Sequence, residues 1–103
     1  MEQEKQDQIV KLMTQRNEYV LRLTEHNAQL LKLTQIYSGY QVEQQFELEK
    51  EKEPDQTPAS PETLDAIKQK ISEAETSIEK EETKVQELEH ELLLIDQKLA
   101  DLT

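Results

Sequence analysis

The chain has 103 residues, of which 34% are hydrophobic and 34% are charged, and its formal net charge is −11. A chain this short and polar buries little surface as a sphere, so its apolar residues must form narrow stripes that pack against other helices. It contains no cysteine, which excludes a disulfide framework and thiolate metal sites, and its negative charge argues against direct binding to nucleic acid.

The location of the protein is suggested by the segments that its sequence lacks. No run of 18 apolar residues is present, so no membrane insertion is expected. The first residues, Met1 to Glu4, are polar and acidic, unlike a secretory signal. We therefore expect an intracellular protein of the cytoplasm or nucleus.

Residues 1–50 are predicted to form a first helix with a wide apolar face. With Ile9 as heptad position a, most a and d positions up to Tyr40 are aliphatic or tyrosine. The pattern fades beyond Tyr40, which predicts a kink or stutter near Ser38–Gly39. A second apolar stripe lies beside the first, as in bundle helices that contact more than one neighbour. This second stripe contains Met13, Val20, Leu31 and Ile36.

Residues 51–60 are predicted to form an acidic, proline-rich linker. Pro54, Pro58 and the following Pro61 cannot continue a helix, so an extended and solvated segment is expected. Thr57 and Ser60 each precede a proline, which makes them possible sites for proline-directed kinases. The alternative is a plain linker in which Ser60 caps the next helix.

Residues 61–103 are predicted to form a second helix with a strong coiled-coil pattern. With Leu64 as position a, eleven of the twelve a and d positions over six heptads are apolar. The predicted helix-pairing seam of both helices contains Ile9, Leu12, Tyr19, Leu23, Leu30, Leu33, Tyr37, Tyr40, Leu64, Ile67, Ile71, Ala74, Ile78, Val85, Leu88, Leu92, Ile95, Leu99 and Leu102.

Three polar seam residues are predicted to set register or partner choice. They are Arg16 and His26 in the first helix and Glu81 in the second, and such residues cost stability while specifying alignment. Because Glu81 would be costly to bury without a donor, we expect it to face Lys, Arg, Gln or Ser of a partner, or to be exposed locally.

Two pairing schemes are compatible with the charges that flank the seam. A parallel pair of second helices would set Lys70 against Glu75 and Lys84 against Glu89. Its weakness is that it also opposes two acidic residues, Glu91 and Asp96.

The second scheme is an intrachain antiparallel hairpin, in which a positions oppose d positions. It would bring together Arg22 with Glu91, Lys70 with Glu43, and Arg16 with Asp96, all of opposite charge. The hairpin leaves apolar side chains uncovered, which points to further helices. The sequence leaves both schemes open, with a slight preference for a helix–linker–helix subunit of a larger bundle.

Nothing in the sequence predicts catalysis, a metal site or a cofactor. The two histidines, His26 and His90, are far apart in the sequence and have no cysteine beside them. The carboxylates around Glu81 have no predicted concave, partly dry site of the kind that acid–base catalysis needs.

The chain is thus predicted to be an all-α protein with two long helices, in a coiled coil or helical bundle, joined by the linker. The predicted function is that of a non-catalytic structural or adaptor subunit of an intracellular multi-subunit complex, acting through helix–helix contacts. The alternative is a self-assembling homo-oligomeric regulator. In either case the expected partners are other helical proteins or a second copy, and the isolated monomer is not expected to be stable.

Overall fold

The computed structural model describes residues 2–50 and 61–103. Helix α1 spans Glu2–Lys50 and helix α2 spans Pro61–Leu102, and the described residues contain no strand. The prediction of an all-α chain with two helices is confirmed for this part of the protein. The predicted linker at 51–60, with Thr57 and Ser60, lies outside the described residues.

The ends of both helices follow ordinary rules of helix termination. Acidic residues occupy the first turn of each helix, where the positive end of the helix dipole favours them. Pro61 begins α2, a position in which its missing N–H costs no hydrogen bond. At the other end of α2, the Thr103 amide and hydroxyl both donate to the Leu99 carbonyl oxygen, at 3.1 Å each.

The expected stutter near Ser38–Gly39 is absent. Helix α1 runs without interruption through Gly39, and the half-buried positions continue in the same heptad spacing to Gln44 and Glu47. Helix geometry alone keeps these polar residues on the packed face, although the apolar pattern has ended. A Cβ added at Gly39 would have no neighbour within 4 Å, so packing does not require glycine there.

The chain divides into two compact units, each built from a segment of both helices. Unit 1 contains Met1–Gln29 and Glu81–Thr103, and unit 2 contains Leu30–Lys80. In unit 1, Arg16 contacts Asp96 while His26 contacts Glu81, so the segments of α1 and α2 run in opposite directions.

Unit 2 is likewise an antiparallel pair of helix segments. Tyr37 of α1 contacts Glu75 of α2, and Tyr40 lies under Lys70. Residues later in α1 therefore contact residues earlier in α2. Within each unit, the contacts are those of an antiparallel helix pair.

The core of each unit is thin and is supplied by α2. Its buried residues are Ile67 and Ala74 in unit 2 and Val85 and Ile95 in unit 1, and all four occupy a or d positions. Along Glu2–Lys50 no residue of α1 is buried to this degree. Helix α1 thus covers one side of α2 with half-buried residues and keeps most of its own surface exposed.

Candidate functional site

The predicted seam residues all lie on the shielded faces of the two helices. Each of the nineteen apolar seam residues is half-buried or buried, as are Arg16, His26 and Glu81. Among the described residues outside the a and d positions, only Lys50 and Ser77 are shielded to a similar degree. The seam is used for packing within each unit, while its role toward a partner stays a prediction.

His26 and Glu81 form a polar layer in unit 1. The His26 Nδ1 atom lies 2.7 Å from Glu81 Oε2, and the side chains are 31% and 13% exposed. Because a carboxylate only accepts hydrogen bonds, Nδ1 carries the proton in this contact. Lys84 Nζ lies 3.6 Å from the other carboxylate oxygen, so positive charge approaches Glu81 from its own helix as well.

The sequence did not predict this partner for Glu81. The expectation was a facing Lys, Arg, Gln or Ser of a partner, or local exposure, whereas His26 of the same chain provides the main contact. Glu81 lies one helical turn before Val85, and its long side chain reaches His26 across the antiparallel pair. A comparison of polar seam positions in antiparallel register, allowing one turn of offset, could have found this pair.

The ionisation of Glu81 is coupled to this geometry. The hydrogen bond from His26 lowers the pKa of the Glu81 carboxyl below its ordinary value of 4.5, and the nearby Lys84 charge acts in the same direction. Partial desolvation opposes the shift. Glu81 is therefore held as a carboxylate within the packed face of unit 1.

Of the ion pairs that the antiparallel register predicts in unit 1, one is formed and one is not. Arg16 Nε lies 2.8 Å from Asp96 Oδ1, as that register predicts. Arg22, by contrast, does not follow the predicted pairing with Glu91. It contacts Glu18 on its own helix at 2.6 Å and lies over the Tyr19 ring. Glu18 lies four residues before Arg22 on the same helix, so the two side chains are already within reach of each other.

In unit 2 as well, polar side chains of the two helices are in contact. The Tyr37 hydroxyl donates to Glu75 Oε1 at 3.0 Å, and this bond is the main cause that raises the pKa of Tyr37 above 10.0. Lys70 lies with Nζ 5.6 Å from the centre of the Tyr40 ring, instead of making the predicted pair with Glu43. Both cross-helix contacts thus use a tyrosine of α1.

The Tyr37 contact predicts a measurable alkaline titration. Because the folded pKa of Tyr37 is raised, the bond contributes to stability below pH 10.0 and is lost as pH rises through the folded pKa. We expect Glu75→Ala to make Tyr37 ionise at lower pH, as followed by tyrosinate absorbance. The control Glu73→Ala should leave the curve unchanged, and identical curves for all three proteins would contradict the assignment.

The described residues provide little for other kinds of site. No group of three or more His, Asp or Glu within 2–50 and 61–103 is placed to hold a metal ion. None of the described helices is long and apolar enough to cross a membrane. The groove beside His26 is open and is lined by mixed side chains, among them Tyr19, Leu88 and Glu91.

Comparisons with protein-family models, with curated proteins and with solved structures gave no match. Beside the packed faces described above, helix α1 carries several exposed apolar side chains.

Proposed function

We propose that this chain is a non-catalytic coiled-coil subunit that joins partner proteins within an intracellular multi-subunit complex through helix–helix contacts. The observation that carries the proposal is the large apolar surface that stays exposed after the a and d positions have packed within each unit. Exposed apolar side chains in contiguous patches are typical of protein–protein contact surfaces. The assembly is expected in the cytoplasm or nucleus.

The proposed architecture is an antiparallel coiled coil within each unit. It is supported by the heptad spacing of the half-buried residues and by the opposite chain directions of the contacting segments. In such an arrangement the a and d positions are already used by the chain itself. Partners would then bind positions outside the seam.

The end of α1 in unit 2 offers the most suitable partner surface. Phe46 is 57% exposed, and Val42, one turn earlier on the same side of α1, is 70% exposed. Lys50 Nζ lies 4.8 Å from the centre of the Phe46 ring and keeps that edge polar. Large aromatic side chains often dominate the binding energy at interfaces. Tyr37 and Tyr40 are close to Phe46 in the sequence, but they are half-buried against α2.

The parallel pairing of α2 with a second α2 receives less support. In that scheme Lys70 would pair with Glu75 of the other chain. Within unit 2, Lys70 instead contacts the Tyr40 ring and Glu75 accepts a hydrogen bond from Tyr37. A parallel α2 dimer would have to break both contacts before it gained its own.

The proposal is tested by expressing the tagged chain at its natural level in its source cells. We expect the chain to elute in an assembly with a reproducible set of partner proteins. Phe46→Ala should reduce recovery of those partners at least ~10-fold, as expected for a central aromatic contact. Partner recovery by quantitative mass spectrometry is the measurement.

Gln41→Ala is the matched control, because Gln41 is an exposed residue of the same helix with no apolar side chain to lose. It should recover partners like the wild-type chain. The proposal would be wrong if the wild-type chain eluted from cells only by itself, as monomer or homo-oligomer. Equal loss of partners in both variants would show that Phe46 is not the contact.

A further inference from the structure

A second heptad stripe on α1 is exposed and carries no charge. With Ile9 as position a, the b and e positions from Val10 to Asn27 are spaced alternately by three and four residues, so they form one continuous row. All are exposed, although a third of the chain is charged. This row, called the outer stripe, contains Val10, Met13, Asn17, Val20, Thr24 and Asn27.

The outer stripe is bordered by further uncharged residues. Beside the outer stripe, the f positions are Thr14, Leu21 and Ala28, all exposed, and the next f position before them is the charged Asp7. The most apolar members of this face are well exposed, since Val10 is 64%, Met13 53% and Leu21 60% accessible. An uncharged exposed face of this kind has no role in packing unit 1.

The distribution of charge within unit 1 indicates what covers this face. Residues 8–29 of α1 carry three basic and two acidic residues, whereas residues 81–102 of α2 carry two basic and seven acidic residues. Two copies of this acidic chain would repel each other through α2. Contact through the outer stripe opposes no charged side chains and keeps the acidic helix on the other side of each copy.

The polar members of the outer stripe fit an identical partner. Asn17 and Asn27 each carry an amide that both donates and accepts hydrogen bonds, so each can pair with the amide of another asparagine. Asparagine within a coiled-coil seam commonly fixes register and the number of chains. In a parallel pair of stripes, each apolar residue meets itself and each asparagine meets asparagine.

We infer that the outer stripe of α1 binds the outer stripe of a second copy, so that the chain forms a homodimer through α1. This inference goes beyond the proposed function, because the dimer forms from the purified chain without any other protein. The surface around Phe46 in unit 2 is left for other partners. A failure of the dimer and a failure of partner recovery in cells are therefore separate results.

The test is sedimentation equilibrium of the purified full chain. We expect a dimer whose Kd rises at least ~100-fold in the double variant Met13→Glu/Val20→Glu, because like charges facing each other in an interface weaken binding by this order or more. The double variant Gln86→Glu/Gln97→Glu adds the same charge at exposed positions of α2 in unit 1 and should dimerise like the wild type.

A further variant guards against a trivial loss of folding. Asn17→Leu removes a polar residue from the proposed interface, so it should lower the Kd of the dimer at the expense of register. Loss of dimer in the stripe variant together with tightening by Asn17→Leu supports the inference. A monomeric wild-type chain, a dimer unaffected by the stripe variant, or equal dissociation of the α2 control would each overturn it.

Discussion

Replacing Ile95 by alanine is expected to destabilise the chain by about 2–5 kcal/mol, the usual cost of truncating a buried isoleucine. Ile95 is only 5% exposed and is one of the two buried residues of unit 1. Because small domains have a net stability of about 5–15 kcal/mol, the loss should be a large fraction of the total. The measurement is urea unfolding followed by circular dichroism at the helix signal.

Leu93→Ala is a matched control two residues away on the same helix. Leu93 is 54% exposed, so its truncation leaves no cavity, and alanine has the higher helix propensity. Its unfolding midpoint should stay close to that of the wild type. If Ile95→Ala and Leu93→Ala had the same midpoint, the packing of α1 against α2 in unit 1 would not be the source of stability.

Replacing both members of the polar layer, His26→Leu with Glu81→Leu, is expected to raise the stability of the chain. Apolar side chains at these two positions would fill the seam without the cost of desolvating a carboxylate and an imidazole. The single variant Glu81→Leu should be less stable than the double variant, because it leaves the half-buried His26 without its acceptor. Thermal unfolding at neutral pH measures both effects.

The same variants predict a pH dependence. Since the pKa of Glu81 is lowered in the folded chain, its contacts contribute to stability above pH 4.5 and are lost as pH falls through the folded pKa. The advantage of the double variant should therefore grow on acidification. The exposed pair Glu82→Leu/His90→Leu serves as a control for composition and should show no stabilisation at neutral pH. A double variant less stable than the wild type at every pH would contradict this account.

The sequence predicted the helical class because its signals are local. Heptad spacing and the lack of proline across residues 2–50 act within each helix, so no knowledge of the partner segment is needed. The direction of pairing depends on contacts that are distant in sequence, so the charges along the chain left two schemes open. Arg16 forms an ion pair with Asp96, as the antiparallel register predicts, whereas Arg22 forms one with Glu18 on its own helix.

The candidate site was less predictable than the helices. The sequence indicates that His26 and Glu81 are polar seam residues, but their contact depends on a side chain reaching one turn beyond its own layer. The sequence predicted a second apolar stripe on α1, which shares only Met13 and Val20 with the outer stripe. Its continuity becomes clear when exposed positions are sorted by heptad letter and examined for charge, since asparagine and threonine belong to it as well.

The buried residues of the two described helices all belong to α2, and this has a consequence for how the protein can change over time. Substitutions at Ile67, Ala74, Val85 or Ile95 alter a packed interior, so most of them reduce the folded population. Substitutions on the exposed side of α1 leave that interior intact. Helix α1 can therefore acquire new binding specificities by drift while α2 preserves the fold, which separates the evolution of partner choice from the evolution of stability.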